Sequence, residues 1–371
     1  MSSILSYFHT PNEYALLPSS IAKPPNRGWR HVLIPVILVA SISFNFFFFF
    51  FWPPKYTVKV ALDNYQSLNH NPIVDLSLLP LSSPNEPLDH AHEQHAVVTS
   101  LYTDAFAGAV ATLGHSLRKV NTTARLVLLY FPDRVSPSAL CIATSTGFVP
   151  HAVTRIPPPH DGRGVYPHFL DQFTKLNVWT LDALGIRSLV YLDADTLVRR
   201  NFDELFTLPW MFAATPDVFV DWKGFTLAFN AGVLFLRPST AIFNDMISKL
   251  STAHYPLADA EQSFLNHYFA AEVVRLPYHY NANLAIKARA LDLWEGTRHE
   301  HRIVHFTLVK PFIGRGPQYK EVPFDEVEKF VEEIKEVDGG AFREEMVWWG
   351  ETFVEMKQVY APQLALCKAA D

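Results

Sequence analysis

Four consecutive apolar residues, Leu189-Val190-Tyr191-Leu192, run straight into Asp193-Ala194-Asp195. Unbroken apolarity of that length suits a strand buried on both faces, the usual state in a parallel sheet covered by helices. The preceding chain agrees. From His95 it reads Ala-Val-Val-Thr-Ser-Leu-Tyr, a short strand, and Phe106, Val110, Leu113, Leu117 and Val120 then recur at steps of four and three, as on an amphipathic helix. Residues 125–131 form another apolar strand, and two strands around one helix are the unit of a parallel sheet. Phe169, Phe173, Leu176, Trp179 and Ala183 predict a further helix ended at Gly185. The expected fold class is α/β with a doubly wound, mostly parallel central sheet. Such sheets bind ligands beyond the carboxyl ends of their strands, where Asp193 and Asp195 emerge.

A second stretch bears on where such a domain would reside. Residues 32–52 carry no formal charge over 21 positions and include six successive phenylalanines, a length that suits one bilayer crossing. The stretch starts later than a signal peptide, lacks a small-residue cleavage site and ends in Trp52-Pro53-Pro54. An uncleaved anchor is expected, the alternative being a buried core helix, although core helices of this length rarely lack a polar face. Lys23, Arg27 and Arg30 precede it and Lys55 and Lys59 follow, a bias of three to two toward a cytoplasmic N-terminus. Residues 53–92, with Pro53, Pro54, Pro72, Pro80, Pro84 and Pro87 and no sustained period, read as a stem.

Composition removes several classes. A net charge of −6 offers no basic face for a phosphate backbone, so no nucleic-acid partner is expected. Cys141 and Cys367 cannot build a disulfide framework or a four-thiolate metal site, and one bridge between them stays open. The chain has no Gly-x-Gly-x-x-Gly after its first strand, no Gly-Lys-Ser/Thr loop and no Gly-x-Ser-x-Gly elbow, which argues against nicotinamide, P-loop and serine-hydrolase chemistry. The Asp193-Ala194-Asp195 pair remains. Two oxygen donors at a strand end suit a hard divalent cation such as Mn²⁺ or Mg²⁺, with phosphate oxygens and an imidazole completing the shell. Alone, an Asp-x-Asp is common in solvated turns.

The pair does not stand alone. In order along the chain come HAVVTSLYTDAFAGAVATLGHSL from His95, FTKL from Phe173, VYLDADTLVRRNFDELF from Val190, FNAGVLFLRPS from Phe229, EQSFLN from Glu261, LPYHYN from Leu276, and Val304-His305-Phe306 with Lys310-Pro311. This set, spanning about residues 93 to 315, resembles the glycogenin-like glycosyltransferases of family 8, which have the nucleotide-sugar-binding GT-A fold. The resemblance implies a retaining hexosyl transfer from a UDP-sugar, with Asp193, Asp195 and His305 holding Mn²⁺ on the donor diphosphate. It places Lys175 and Lys310 against the sugar or diphosphate, and Asn230 and Gln262 beside the donor sugar. Glu261 matches a nearby acidic position, with plain helix polarity as the equal alternative. Residues 98–103, including Ser100, Tyr102 and Thr103, match the strand and turn that cradle uracil and ribose. Tyr102 could stack on the base or belong to the core, and Asp104 could bind ribose or cap a helix. Gln262, Glu261 and Lys175 are the catalytic candidates, and Ala194 sits within the donor-binding motif.

The sequence departs from the family pattern in places. Leu308 stands where a glycine commonly lets the backbone approach the diphosphate, and residues 283–288 lack the self-glycosylated tyrosine of glycogenin. A separate acceptor is therefore expected: a glycan, protein or lipid. Anchor, stem and family together imply a single-pass protein of the Golgi or endoplasmic reticulum, its catalytic domain lumenal, with Asn121-Thr122-Thr123 as a glycosylation site. The expected organisation is a cytoplasmic tail at 1–31, an anchor at 32–52, a stem at 53–92, the catalytic domain at 93–335 and a helical extension at 336–371. Two rival readings share the motif. A haloacid-dehalogenase-type phosphatase would use Asp193 and Asp195 as Asp-x-Asp-x-Thr, but it places that motif on its first strand. A silent binding protein would have no reason to keep Asp193, Asp195, His305 and Lys310 together.

Overall fold

The computed structural model of the chain describes residues 30–51, 73–79, 94–217, 228–314 and 320–368. The chain divides into two compact units, Met1–Ser67 and Leu68–Asp371. In the first, the expected anchor is one 22-residue helix, Arg30–Phe51, with Pro35 inside it. Its side chains at 34–44 are all exposed, among them Ile34, Val36, Ile37, Leu38, Val39, Ile42 and Phe44. Among the described residues no helix is long and apolar enough to cross a membrane. Most of the expected stem lies outside the described residues. Its segment 73–79 belongs to the second unit: Val74 is buried, and its N–H donates to the Tyr268 carbonyl at 3.1 Å.

The second unit is built on strands β1 (His95–Leu101), β2 (Arg125–Tyr130), β3 (Val149–Ala152), β4 (Ser188–Leu192), β5 (Thr196–Val198), β6 (Phe212–Pro216), β7 (Phe229–Leu236), β8 (Val274–Arg275), β9 (Ala282–Asn283) and β10 (Ile303–His305). Seven of them form one sheet in the order β3-β2-β1-β4-β7-β6-β8. Every neighbouring pair is parallel except the two made by β7, so the sheet is mostly parallel, as a GT-A-like α/β fold requires. Each residue of β4 is buried, as its unbroken apolar run predicts. A smaller sheet, β5-β10-β9, stands beyond the end of β4.

Two helical expectations need correction. The helix Ala107–Lys119 is buried throughout from Ala107 to Leu117, not on one stripe. Val110, Leu113 and Leu117 face the sheet core, while Ala109 and Ala111 face a second core containing Met346, Trp349 and Phe353 of the helix Arg343–Val359. Covered on both sides, the helix needs small residues on the side its periodicity left polar; a Cβ on Gly108 would meet Phe324 at 3.1 Å. The second correction concerns Gln172–Leu184, which is a 3₁₀-helix of 13 residues. Three residues per turn align Phe173 with Leu176 and Trp179, and Lys175 with Val178 and Leu181, and all six are buried. Ala183, expected on the buried stripe, falls outside both rows and is exposed.

The C-terminal helices belong to the same unit. Helix Ala361–Cys367 is tied by a Cys141–Cys367 disulfide to the helix Pro137–Thr144. Of the tandem tryptophans, Trp349 is fully buried, whereas Trp348 is half-buried under the Arg199 guanidinium, 3.5 Å above its ring.

Candidate functional site

Strand ends bring the expected residues together. Asp193 follows β4 and is held against β7 by its N–H, which donates to the Gly232 carbonyl at 2.8 Å. The chain then turns through Ala194 into β5, and β5 pairs antiparallel with β10, setting Thr196 opposite His305. The Phe306 N–H donates to the Asp195 carbonyl at 2.9 Å. That register places Asp195 beside the imidazole: His305 Nε2 lies 3.2 Å from Asp195 Oδ1 and 4.0 Å from Asp193 Oδ2. One ligand atom from each of Asp193, Asp195 and His305 falls within 4.8 Å of the others. Two carboxylates and an imidazole facing one point match the donor set of a hard divalent cation.

Basic side chains hold this cluster from two sides. Lys175, 2% exposed, projects from the 3₁₀-helix to Asp193 Oδ1 at 3.0 Å and Glu261 Oε1 at 2.7 Å, and donates to the Ala231 carbonyl at 3.1 Å. Burial alone would lower its ammonium pKa, but Asp193 and Glu261 outweigh that and hold it above the ordinary lysine range. Glu261, equally buried, is pushed up by burial against the opposing pull of Lys175. On the other side Lys310 pairs with Asp195 Oδ2. Burial would raise the Asp195 carboxyl, yet Lys310 and His305 outweigh it and hold it well below the usual carboxylate range.

Amides form the floor. Gln262 Oε1 accepts from the Ala231 N–H at 2.9 Å and from Asn230 Nδ2 at 3.2 Å, and its Nε2 donates to Asp217 at 2.9 Å. Asn230 Oδ1 accepts from the Gly232 N–H at 3.0 Å and from Asn281 Nδ2 at 2.9 Å. Each amide keeps one N–H uncommitted in this network. Just before Glu261, Ala260 has φ +48°, a conformation that costs an alanine about 1–3 kcal/mol and that clusters at functional sites.

The expected nucleoside end is less uniform. Ser100 Oγ lies 2.9 Å from the Tyr191 hydroxyl, whose ring sits under Lys175 Nζ at 4.9 Å, so this residue adjoins the cluster. Tyr102 is buried and stacks on Phe131 with ring centroids 4.6 Å apart; burial raises its hydroxyl pKa. Thr103 is exposed. Asp104 caps no helix: its carboxylate accepts from the Ser136 N–H at 2.9 Å and ties the loop after β2 to the end of β1. Ala194 packs into the core with Val190 and Leu192. Leu308 has no left-handed backbone and is 37% exposed.

Asp217, Gly232 and Asn281 join the site without having been singled out. Gly232 and Asn281 lie inside the blocks FNAGVLFLRPS and LPYHYN, but nothing in either block separates them from their neighbours. No pattern around Asp217 marks it.

Comparison with known proteins agrees with this geometry. Residues 98–312, more than half of the chain, match the family model "Glycosyl transferase family 8". Glycogenin of Neurospora crassa is 28% identical over 232 residues, covering 61% of this chain and 33% of that protein. Inositol phosphorylceramide glucuronosyltransferase 1 of Arabidopsis thaliana is 28% identical over 242 residues, 58% of this chain and 42% of that one. The chain thus spans less than half the length of these two relatives. Glycogenin-1 of Mus musculus is 30% identical over 241 residues, with 62% of this chain and 69% of that protein covered. Among solved structures, apo GlyE of Streptococcus pneumoniae TIGR4 aligns with a TM-score of 0.46 at 19% identity, covering 71% of this chain and 63% of that one.

Proposed function

Because the chain belongs to glycosyl transferase family 8 and is a glycosyltransferase, we propose that it moves a hexosyl residue from a UDP-sugar to a separate acceptor with retention of configuration, aided by Mn²⁺. The observation that carries this reading is the convergence of Asp193, Asp195 and His305 within 4.8 Å at the carboxyl end of β4. Two carboxylates and one imidazole nitrogen facing one point supply oxygen and nitrogen ligands for a hard cation, with Lys175 and Lys310 flanking them. The donor set fits a divalent ion, which when bound would neutralise charge on the leaving diphosphate.

The chain's own groups divide the remaining work. Lys175 fixes Asp193 and Glu261 in place, so the ligand carboxylate is oriented before any donor arrives. Lys310 holds its ammonium against Asp195, a second positive charge beside the carboxylates for a donor diphosphate. The uncommitted N–H groups of Asn230 and Gln262 are donors for sugar hydroxyls. In the reaction the anomeric C1–O bond to the diphosphate breaks, the acceptor oxygen bonds to C1 on the same face, and its proton passes to the departing phosphate oxygen. The phosphatase reading loses ground on the family match and on β4 being the fourth strand, since that motif belongs on a first strand.

We place the protein in a Golgi or endoplasmic reticulum membrane through its N-terminal helix, with the catalytic unit lumenal. Three features support this. The exposed helical side chains at 34–44 are apolar or small, the Cys141–Cys367 disulfide suits an oxidising compartment, and Asn121 is exposed at the start of its sequon. A screen of UDP-sugar hydrolysis by the full-length chain in detergent, with Mn²⁺ and with a chelator, tests the function. Metal-dependent release of UDP from one sugar is expected. Absence of release from every UDP-hexose and UDP-uronate would sink the reading.

A further inference from the structure

Five hydrogen bonds link the backbone of β7 to the imidazole of His305, and they can be satisfied in only one way. The Gly232 N–H can only donate, so the atom of Asn230 that meets it at 3.0 Å must be Oδ1. Reversing the Asn230 amide would also set its oxygen against Gln262 Oε1, already the acceptor of the Ala231 N–H at 2.9 Å. With Asn230 fixed, the atom of Asn281 lying 2.9 Å from Asn230 Oδ1 must be a donor, Nδ2. The remaining amide atom, Asn281 Oδ1, then faces His305 Nδ1 at 3.1 Å and can only accept. Nδ1 therefore carries the ring proton. Nε2 is aimed at Asp195 Oδ1 and Asp193 Oδ2: in the neutral ring it is the lone pair a cation would take, and in the metal-free imidazolium its proton is donated to Asp195.

The geometry points to Asn281 as a positioning residue that sets the tautomer of His305, its own orientation being dictated through Asn230 by the Gly232 N–H. Asn281 and His305 are 1% and 3% exposed, so no water is needed to account for these bonds. Without the acceptor, the ring would gain by placing its proton on Nε2 and donating to Asp195, which would cover the lone pair that a cation needs. Hydrogen-bond partners of this kind orient metal-binding imidazoles and typically change metal affinity by about 10–100-fold when lost. The inference rests on the metal reading for its consequence but not for the tautomer itself.

The test uses the full-length chain labelled with ¹⁵N-histidine and stripped of metal, with the His305 resonances assigned from their loss in His305→Gln. At a pH where the ring is neutral, wild type is expected to show a protonated Nδ1 and an unprotonated Nε2. Asn281→Leu is expected to shift the ring toward the Nε2–H tautomer and to weaken Mn²⁺ binding, measured from the EPR signal of free Mn²⁺, about 10–100-fold. Asn281→Asp keeps an acceptor beside Nδ1, at the expense of the donor to Asn230 Oδ1, and should retain the Nδ1–H tautomer. An Nε2–H tautomer in wild type, an unchanged tautomer in Asn281→Leu, or an imidazolium persisting to high pH would overturn the inference. If Asn281→Leu does not fold, the wild-type and Asn281→Asp spectra still decide. Should wild type show the expected tautomer but bind no Mn²⁺, the metal reading fails and the relay stands.

Discussion

Gly232 faces the imidazole of His305 so closely that a Cβ added to it would lie 2.7 Å from Nδ1 and closer still to Cε1. The backbone at Gly232 needs no left-handed conformation, so the requirement for glycine there is one of space alone. Gly232→Ala should therefore push His305 away from Asp195 while the sheet persists, because β7 is held to both neighbours by its backbone. We expect Mn²⁺ affinity to fall at least 10-fold, with the displaced His305 counted as a disturbed ligand. Circular dichroism should remain that of the wild type. Unchanged Mn²⁺ binding in a folded variant would show that the ring is not confined as the structure has it.

Among the described residues Lys175 is the one cation paired with both Asp193 and Glu261, and removing it leaves the buried Glu261 carboxylate without compensation. Lys175→Met should lower stability by about 3–5 kcal/mol, the usual cost of breaking a buried pair, read as a shift of the urea midpoint. The sign of its pH dependence follows from the raised ammonium pKa. A basic group whose folded pKa lies above its unfolded one contributes in full below the ordinary lysine range and is lost only as pH climbs past it. The destabilisation should therefore be the same at pH 7 and pH 9. Adding Glu261→Gln should recover part of it, because that stranded charge disappears.

Sequence periodicity made the sheet legible, since β4 is apolar without a break and emerges straight into Asp193 and Asp195. It did not reveal Gln172–Leu184 as a 3₁₀-helix, because Phe173, Leu176 and Trp179 fall three and three apart, a spacing shared by both helix types over so short a run. The double-sided burial of Ala107–Lys119 was hidden for another reason: its outer cover is the helix Arg343–Val359, more than two hundred residues away. In the site, charged residues could be read from the motif blocks. Asn281 and Gly232 could not, since a polar amide and a missing side chain act through neighbours that only the β5–β10–β9 register brings near. The Cys141–Cys367 bridge likewise depends on where the last helix docks.

Asp195 provides a test in the acid range. Its folded pKa is depressed below the unfolded value of 3.8 because Lys310 and His305 outweigh burial. A depressed carboxyl contributes stability that is present above the unfolded pKa and lost as pH falls below it. In metal-free protein, Lys310→Met should lower stability by about 3 kcal/mol at pH 7. The gap from wild type should close progressively as pH is lowered below 4, where Asp195 becomes protonated in the unfolded chain. A gap independent of pH would mean that Lys310 acts through packing and not through this carboxylate.

Topology and the disulfide can be tested together in sealed microsomes. A lumenal catalytic unit exposes Asn121, whose sequon hydroxyl Thr123 Oγ1 donates to Asp203 Oδ2 at 3.0 Å in an exposed turn. Endoglycosidase should sharpen gel mobility, Asn121→Gln should abolish the shift, and residues beyond the first helix should resist added protease. Non-reducing gels should show the Cys141–Cys367 form, and Cys367→Ser should cost about 2–5 kcal/mol, since the bridge closes a long loop. A protease-sensitive, unglycosylated catalytic unit would reverse the proposed orientation.

Stereochemistry separates the possible roles of Glu261 and Gln262. Retention by a covalent route needs a nucleophile on the β-face of the anomeric carbon, whereas the ion-pair route needs only groups that stabilise developing positive charge while the diphosphate takes the acceptor proton. Glu261 is held by Lys175 at 2.7 Å, which lowers the nucleophilicity of that carboxylate. Gln262 has its oxygen committed to the Ala231 N–H and Asn230, and a neutral amide is a weak nucleophile. Both arrangements favour the ion-pair route. With an α-linked UDP-sugar of gluco- or galacto-configuration, proton NMR of the first product should show the small anomeric coupling of an α linkage. Gln262→Ala should then lose about 10²-fold in kcat, the scale of removing one electrostatic stabiliser. Glu261→Gln, in contrast, should reduce kcat less, and protein that keeps Glu261 should show no glycosyl ester there in mass spectra. A larger loss in Glu261→Gln than in Gln262→Ala would favour the covalent route, and a β product would reject both.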